Sequence, residues 1–388
     1  MDDWKTYQLD EVYDFASGLS KPRDQFGFGY GFLTFKDVFH NTFVPDELIS
    51  LANTNESEHE RFSILEGDVF LTRTSEKQEE LGMSCVALKD YPQATFNGFT
   101  KRLRPNGNTD IIPKYAAYYF QSPVFRRELT SMASITTRAS LNNSMLADLK
   151  ILLPPLPEQK AIAEVLSSLD DKIDLLHRQN KTLEAMAETL FRQWFVEEAE
   201  DDWEEKPLSS VGDFLNGLAC QKFPPKNDID KLPVLKIKQL RTGISSDCDW
   251  STTDVDPKYI VSNGDLIFSW SASLMVKLWD GETCILNQHL FKVTSENYPK
   301  WFLYQWCKFH LNQFIAIASS HATTMGHIKR KDLDEAIVFV PSNTELENYS
   351  EKMNPLLEKV ILNNNQINSL RALRDSLLPK LIDGSIMM

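Results

Sequence analysis

The apolar residues between Leu153 and Phe195 recur at alternating steps of four and three positions, which predicts one long helix. No glycine or proline interrupts the run from Glu158 to Phe195. A repeat of this kind is the seam along which helices pack in a coiled coil, so the helix needs a partner. Taken alone, the stretch is more typical of a helix in a globular bundle. The seam positions are Ile162, Leu166, Leu169, Ile173, Leu176, Leu183, Leu190 and Trp194.

A second stretch, residues 340–386, repeats the same pattern. Pro154 and Pro341 differ by 187 positions, and this offset continues without a gap. Thr344 with Glu347 predicts a capping box at the start of a second long helix. We expect the two helices to run antiparallel, although no contact is predicted between their seam asparagines, Asn180 and Asn363. The matched pairs are Ile162 and Tyr349, Leu166 and Met353, Leu169 and Leu356, Ile173 and Val360, Leu183 and Leu370, and Leu190 and Leu377.

The segments in front of the two helices also repeat. The pattern from Trp4 to Leu19 recurs from Trp203 to Leu218 at a constant offset of 199. Gly67-Asp68-Val69-Phe70 matches Gly264-Asp265-Leu266-Ile267, and serine or threonine follows within a few residues in both copies. The chain is therefore predicted to consist of a globular domain and a long helix, repeated once.

Local patterns predict the elements of the globular domains. GDVF, MSCVAL and FTKRLRP in the first copy, and LPVLKIKQL and GDLIFSW in the second, are typical of strands. Residues 114–130 and 300–317 have helical patterns, and 197–205 is an acidic linker. We interpret the segment with Gly27, Gly29 and Gly31 as a loop, because a cofactor-binding glycine loop follows a buried strand and opens a helix.

Four sequence motifs resemble the specificity subunit of type I restriction–modification systems. They are LPPLPEQ (153–159), LFRQWF (190–195), GDLIFSWSAS (264–273) and SLLPKLIDGSI (376–386). In the second copy PSNTEL replaces PPLPEQ, which distinguishes the two helix starts. The resemblance covers essentially the whole chain.

The resemblance implies an α+β fold with two mixed α/β target-recognition domains. Two long antiparallel helices forming a coiled coil would separate these domains, with a pseudo-two-fold internal repeat. The domains would be 1–152 and 199–340, and the helices 153–198 and 341–388. Each domain would read one half of a bipartite target in double-stranded DNA. The helices would set the spacing and dock two modification (methyltransferase) subunits, and restriction subunits would join them.

Composition and charge bear on this interpretation. The net charge of −14 opposes DNA binding by the chain alone, so we expect partner subunits to supply positive surface and the chain's own basic residues to be local. No segment approaches eighteen consecutive apolar residues, and the five cysteines form no C-x-x-C pair. We therefore expect a cytoplasmic protein with reduced thiols and no contact with a membrane.

Candidate DNA contacts are polar and basic residues on the predicted loops, because base edges are read by such side chains. Basic clusters such as Lys101, Arg102 and Arg104 are more often solvated surface. The candidates are Arg73, Thr74, Ser75, Arg138, Ser140, Asn142, Asn143, Lys236, Lys238, Ser269, Trp270, Ser271, Ser273, His321, Thr324, His327 and Lys329. The candidate seam and partner-docking residues are Leu156, Pro157, Gln159, Ile162, Leu166, Leu169, Ile173, Leu183, Leu190, Leu356, Val360, Leu370 and Leu377.

Motifs for catalysis are sparse. Asp256-Pro-Lys-Tyr259 resembles the methyltransferase motif Asp/Asn-Pro-Pro-Tyr/Phe, but Lys258 replaces the second proline. We predict no catalytic residues, metal or cofactor. Two alternatives remain: a self-contained DNA methyltransferase or nuclease, and a coiled-coil adaptor that does not contact DNA. The acidic charge favours the adaptor, whereas the repeated polar loops argue against it.

Overall fold

A computed structural model describes residues 3–75, 77–132, 139–245, 247–320 and 326–388 of the chain. The chain forms two compact units. The first unit consists of Met1–Lys172 and Leu370–Met388, and the second of Ile173–Ser369. Each unit therefore combines a globular segment with part of each of two long helices, Leu156–Arg192 and Asn343–Ile382.

The globular part of the first unit mixes short helices with small sheets. Its central sheet has four antiparallel strands in the order Tyr13–Ser17, Thr100–Pro105, Val69–Thr72 and Ser84–Val86. Its other strands are Lys5–Gln8, Phe26–Leu33, Leu51–Ala52, Thr74–Ser75, Thr95–Phe96, Ala139–Ser140 and Lys150–Leu153. Its helices are Leu9–Val12, Phe35–His40, Glu56–Arg61, Pro113–Gln121, Pro123–Met132 and Asn143–Asp148, with 3-10 turns at Arg23–Gln25 and Gln78–Glu80.

The second unit has the same central sheet. Four antiparallel strands follow the order Asp213–Asn216, Leu290–Thr294, Leu266–Ser269 and Met275–Leu278. The remaining strands are Glu204–Pro207, Lys231–Leu235, Trp250–Thr252, Ile260–Val261, Cys284–Leu286 and Ile337–Val340. The helices are Leu208–Val211, Ile237–Thr242, Lys300–Ser320 and Arg330–Glu335, with a π turn at Gln193–Glu197 and 3-10 turns at Cys220–Lys222 and Pro257–Tyr259.

The repeat read from the sequence corresponds to a repeat of topology. In each unit the first strand of the central sheet is an edge strand, and the strand after Gly-Asp lies in the middle. The repeated geometry extends to the starts of the long helices. The Trp4 indole Nε1 donates to Glu158 Oε2 at 2.8 Å, and the Trp203 Nε1 donates to Glu345 Oε1 at 3.4 Å. Both copies therefore fix a helix start to the beginning of their own globular segment.

The two long helices run antiparallel within each unit. In the first unit Arg374 Nη1 is 2.7 Å from Asp170 Oδ1, and Ile162 shares a buried cluster with Leu381. In the second unit Trp194 stacks on Tyr349 with ring centroids 4.7 Å apart. Residue numbers rise along one helix as they fall along the other, as predicted.

The seam asparagines meet in the second unit, a contact that the sequence pattern did not predict. Asn363 Nδ2 donates to Asn180 Oδ1 at 2.9 Å, and Asn180 Nδ2 donates to Asn364 Oδ1 at 2.6 Å. Asn363 is completely buried, and its Oδ1 has no hydrogen-bond partner within the described part of the chain. A polar pair in an otherwise apolar seam disfavours shifted registers, because any shift would leave these amides opposite apolar side chains.

Several local predictions were wrong. The glycine-rich segment is a strand, Phe26–Leu33, with a bulge against Leu51–Ala52, rather than a loop. At Gly29, φ is +96° and a Cβ would lie 2.5 Å from the Ala52 carbonyl oxygen, so only glycine fits. The second long helix is capped by Ser342 and Glu345, not by Thr344 and Glu347: Ser342 N donates to Glu345 Oε2 at 2.9 Å.

Three predicted spans also need correction. The strand predicted for LPVLKIKQL ends at Leu235, and Ile237–Thr242 is helical. The helical pattern at 114–130 is two helices, because Ser122 ends the first and Pro123 opens the second. The acidic linker is shorter than predicted, since a π turn extends to Glu197 and a strand begins at Glu204. In the part of the chain that the structure describes, no helix is both long and apolar enough to span a bilayer.

Replacing Ile367 by alanine is expected to lower the free energy of unfolding by about 2–5 kcal/mol, because removing a buried branched side chain leaves a cavity. Ile367 is 2% exposed, whereas Leu362 on the same helix is 58% exposed. Leu362→Ala should therefore change the free energy by no more than about 0.5 kcal/mol. Urea unfolding of both variants tests the assignment of the buried helix face, and equal losses would contradict it.

Asn180→Leu is expected to cost about 1–3 kcal/mol, because the buried Nδ2 of Asn363 loses its acceptor at 2.9 Å and keeps only the long contact to Gln179 Oε1 at 3.5 Å. In the double variant Asn180→Leu/Asn363→Leu that unpaired group is absent, so the double variant should be more stable than the sum of the single changes predicts. A double-mutant cycle from urea unfolding measures the coupling between the two positions. Simple additivity would show that the amide contact does not hold the seam together.

Candidate nucleic-acid interface

In the first unit, three segments meet at one end of the central sheet. Arg73 follows the strand Val69–Thr72, and its backbone N donates to Phe99 O at 2.8 Å. Leu141 N donates to Arg73 O at 2.9 Å, and Thr74–Ser75 pairs with Ala139–Ser140. The predicted loop at 73–75 and the described part, 139–143, of the predicted loop at 138–143 therefore form one structure, which we call the first junction.

Lys101 lies at the first junction and is 6% exposed. Its Nζ donates to Ser17 Oγ at 2.9 Å and to Asn143 Oδ1 at 2.7 Å, both neutral acceptors. Burial lowers the pKa of Lys101, and the positive charge of Arg73 lowers it further. The Nε of Arg73 is buried and has no hydrogen-bond partner within the described residues.

The second unit has an equivalent structure, which we call the second junction. Ile328 N donates to Trp270 O at 3.0 Å, Ala272 N donates to Gly326 O at 2.8 Å, and Ser271 forms a bridge with His327. The predicted loop at 269–273 is thus paired with the segment 326–328, as in the first unit.

The second junction is aromatic where the first is cationic. Trp270 stacks on Phe291, with ring centroids 5.7 Å apart and an interplanar angle of 28°, and its Nε1 donates to Asn216 Oδ1 at 3.2 Å. Ser271 Oγ lies 3.1 Å from His289 Nδ1. These contacts leave hydroxyl, imidazole and indole groups side by side.

Strand register shows which positions correspond. Lys101 pairs with Ser17 and Leu71 in the first unit, and Phe291 pairs with Asn216 and Phe268 in the second. Trp270 directly follows the strand Leu266–Ser269, just as Arg73 directly follows the strand Val69–Thr72. The equivalent positions are therefore Arg73 and Trp270, Lys101 and Phe291, and Ser17 and Asn216.

The turn before the strand Thr100–Pro105 and the turn before the strand Leu290–Thr294 supply side chains that the sequence analysis missed. Asn97 Oδ1 accepts from Phe99 N at 2.7 Å, and Asn287 Oδ1 accepts from His289 N at 3.3 Å. The turns place Phe99, which is 61% exposed, and His289 at the two junctions. The repeated pattern Asn-x-aromatic-or-His before a strand was a signal that could have revealed them.

Some predicted contacts have internal roles. Ser269 is completely buried, and its Oγ donates to Ser273 O at 2.9 Å, so its assignment as a DNA contact is corrected to a loop-stabilising role. Asn142 Oδ1 caps the helix Asn143–Asp148 by accepting from Met145 N at 2.8 Å. Lys236 pairs with Asp249, and Lys238 Nζ lies 2.6 Å from Asp247 Oδ2, so both charges are neutralised outside the junctions.

The remaining candidates are half-buried, exposed or outside the described residues. Ser75 accepts from Lys77 N at 3.2 Å, and Lys329 is exposed just before the helix Arg330–Glu335. Arg138, His321 and Thr324 lie outside the described residues.

The basic cluster at Lys101 is mostly internal, whereas its alternative interpretation was a solvated surface: Lys101 is 6% and Arg102 8% exposed. Arg104 Nη2 lies 2.6 Å from Asp68 Oδ2, and Arg102 Nη1 donates to Ser63 O at 2.7 Å. The Asp256 motif is a surface turn in which Asp256 pairs with Lys258 at 2.8 Å. Within the described ranges, no cluster of three His, Cys, Asp or Glu residues could hold a metal ion.

The predicted helix residues fall into three groups. Ile162, Leu166, Ile173 and Val360 are buried. Leu169, Leu183, Leu190, Leu356, Leu370 and Leu377 are partly buried, whereas Leu156 and Pro157 are exposed. Gln159 was wrongly assigned to partner docking, because it is 2% exposed and binds its own unit: its Oε1 accepts from Ile112 N at 2.9 Å, and its Nε2 donates to Pro154 O at 2.9 Å.

Comparison with known proteins identifies the family. Residues 1–185 and 200–372 match the family model described as type I restriction modification DNA specificity domain. The chain belongs to this family. It is 26% identical to the type I restriction enzyme MjaIX specificity subunit of Methanocaldococcus jannaschii, over 99% of this chain and 94% of that protein. It is 20% identical to the HindI specificity subunit of Haemophilus influenzae, over 100% of both chains.

A solved structure supports the fold of this specificity-family chain. The S subunit of a type I restriction–modification system from M. genitalium matches with a TM-score of 0.58 at 16% identity. The match covers 98% of this chain and 96% of that one. The predicted family resemblance and the mixed α and β fold are therefore confirmed.

Ser269→Ala is expected to lower the free energy of unfolding by about 1 kcal/mol, because a buried carbonyl loses its hydroxyl donor. Ser273→Ala is a matched control, since only the backbone oxygen of Ser273 takes part in that bond. Urea unfolding measures both changes. An unchanged stability for Ser269→Ala, together with altered DNA discrimination, would restore Ser269 as a DNA contact.

Proposed function

We propose that this chain is the DNA sequence-specificity subunit of a type I restriction–modification complex and that each junction reads one half of a bipartite target. One observation carries this proposal: the two units repeat the same backbone frame but place different side chains at equivalent positions. Arg73 and Lys101 in one unit correspond to Trp270 and Phe291 in the other. Two readers of unlike half-sites require this combination of a shared frame and divergent contacts.

We infer a domain arrangement in which residues 1–152 and 199–340 are target-recognition domains and the long helices form an antiparallel coiled coil between them. The antiparallel contacts within each unit support it, as do the Trp4–Glu158 and Trp203–Glu345 bonds that tie each helix start to one domain. The Asn180–Asn363 contact would fix the register of the helices and, with it, the spacing of the two half-sites.

We infer that two modification (methyltransferase) subunits dock on the helices and that restriction subunits join them in the cytoplasm. The helices present exposed apolar side chains that a partner could cover: Leu156, Leu175, Met186, Leu362 and Leu373. The chain's net charge of −14 also favours partners with positive surface, because DNA affinity depends on phosphate neutralisation. In this assignment the chain contributes recognition, and catalysis belongs to its partners.

Domain exchange tests the assignment of two readers. Replacing residues 1–152 by the equivalent segment of another family member is expected to change one half of the methylated motif and to leave the other half and the spacing unchanged. The physical reason is that each central sheet and its junction are built from one globular segment. Sequencing of methylated adenines in cells that express the chimaera with its modification subunits reads the motif.

The reciprocal exchange of residues 199–340 is the matched control and should change only the other half. A change in both halves from either exchange would contradict the assignment. Measuring DNA binding with and without modification subunits tests the alternative of a coiled-coil adaptor that does not contact DNA. An adaptor that never contacts DNA would give a complex whose target sequence is unaffected by either exchange.

A further inference from the structure

Arg73 and Lys101 are two cations without a bound carboxylate at the first junction. Lys101 is only 6% exposed, and its ammonium donates to one hydroxyl and one amide oxygen. Arg73 forms no ion pair within the described part of the chain, and its buried Nε has no acceptor there. Placing like charges together in a partly desolvated site costs free energy unless an anion completes the site.

Two other cations on the same sheets bind carboxylates. Arg104 binds Asp68 at 2.6 Å, and at the position after Phe291 in the second unit Lys292 binds Asp265 at 2.8 Å. Arg102 lies in the field of Asp68 and Asp14, which raise its pKa against the lowering effects of burial and Arg104. For Lys101 the other charged group that acts on its pKa is Arg73, which has the same sign.

We propose that Arg73 and Lys101 form a phosphate-binding site for the DNA backbone in the first half-site and that the second junction has no counterpart. This inference rests on the proposed function and specifies how one of its two readers binds. Lys101 suits a phosphate because its ammonium is a compact charge already oriented by two hydrogen bonds, with one N–H remaining. A phosphate oxygen could accept that bond while the guanidinium of Arg73 balances the rest of the charge.

The second junction lacks both cations. Trp270 and Phe291 occupy the equivalent positions, stacked 5.7 Å apart. Arg330, which follows the segment 326–328, donates from Nη2 to Phe214 O at 3.4 Å. The junctions therefore differ in the interactions that they offer to DNA. The first would bind phosphate through charge, whereas the second presents an aromatic face with hydroxyl and imidazole groups. Salt should weaken DNA binding at the first junction more than at the second.

The test measures the salt dependence of DNA binding by the complete complex with its modification subunits. Fluorescence anisotropy between about 50 and about 200 mM salt gives the slope of log affinity against log salt. Lys101→Gln and Arg73→Gln are each expected to reduce the magnitude of this slope by up to about 0.9, the value for one phosphate contact. Both should weaken cognate and mismatched DNA by the same factor, because phosphates carry no sequence.

Two control variants separate this effect from general loss of charge or structure. Lys89 pairs with Asp46 at 3.0 Å, so Lys89→Gln removes a charge that is already compensated and should leave the slope unchanged. Trp270→Leu alters the second junction without changing charge and should also leave the slope unchanged. Urea unfolding of Lys101→Gln identifies a folding defect, and Arg73→Gln, which removes no bond to Ser17 or Asn143, then carries the test.

Methylphosphonate substitution in the DNA locates the contact. A neutral linkage at one position of the first half-site should weaken wild-type binding about as much as Arg73→Gln or Lys101→Gln, and it should weaken those variants far less. The inference is overturned if no position in the first half-site shows this coupling. It is also overturned if the variants lose discrimination at one base pair with an unchanged slope, since the pair would then read a base. A wild-type complex that binds no bipartite target would refute the proposed function instead.

Discussion

The antiparallel contact between the two long helices is the constraint on which the rest of the structure depends. Each compact unit is completed by helix segments that are far apart in the chain, such as those of Ile162 and Leu381, 219 positions apart, in the first. Neither segment could bury its narrow apolar seam alone, because a heptad stripe covers only one side of a helix. Pairing the helices buries both stripes and brings the end of the chain into the unit that contains its beginning.

The buried amides give this pairing a defined register. An apolar seam alone tolerates shifts by one heptad, since leucine and isoleucine meet similar neighbours after such a shift. Asn180, Asn363 and Asn364 bind one another in one alignment, and among the described residues the buried Oδ1 of Asn363 has no partner, which is a free-energy cost of this arrangement. Under the proposed function, a fixed register would keep the spacing of the two DNA readers constant.

The globular segments show how one frame carries two kinds of recognition. Backbone bonds define each junction, including Leu141 N to Arg73 O in one unit and Ile328 N to Trp270 O in the other. The side chains at equivalent positions differ, as Arg73 and Trp270 do, while these backbone bonds are kept in both units. The chain's negative charge adds a further condition, since a cation pair such as Arg73 and Lys101 is effective only where local carboxylates are absent or already paired.

The sequence by itself determined the long helices and the repeat of the globular segments, whereas tertiary contacts showed that the helices are antiparallel within each unit. Periodicity at steps of four and three, and constant offsets between copies, are local signals that survive whatever the tertiary contacts are. The sequence also identified the loops at 73–75 and 269–273 as candidate DNA contacts. The tertiary structure alone decided that Ser269 and Gln159 face inward and that Asn180 meets Asn363, because burial and pairing depend on residues distant in the chain. It likewise decided that, among the described residues, Arg104 binds the carboxylate of Asp68, whereas Lys101 is bound by Ser17 and Asn143.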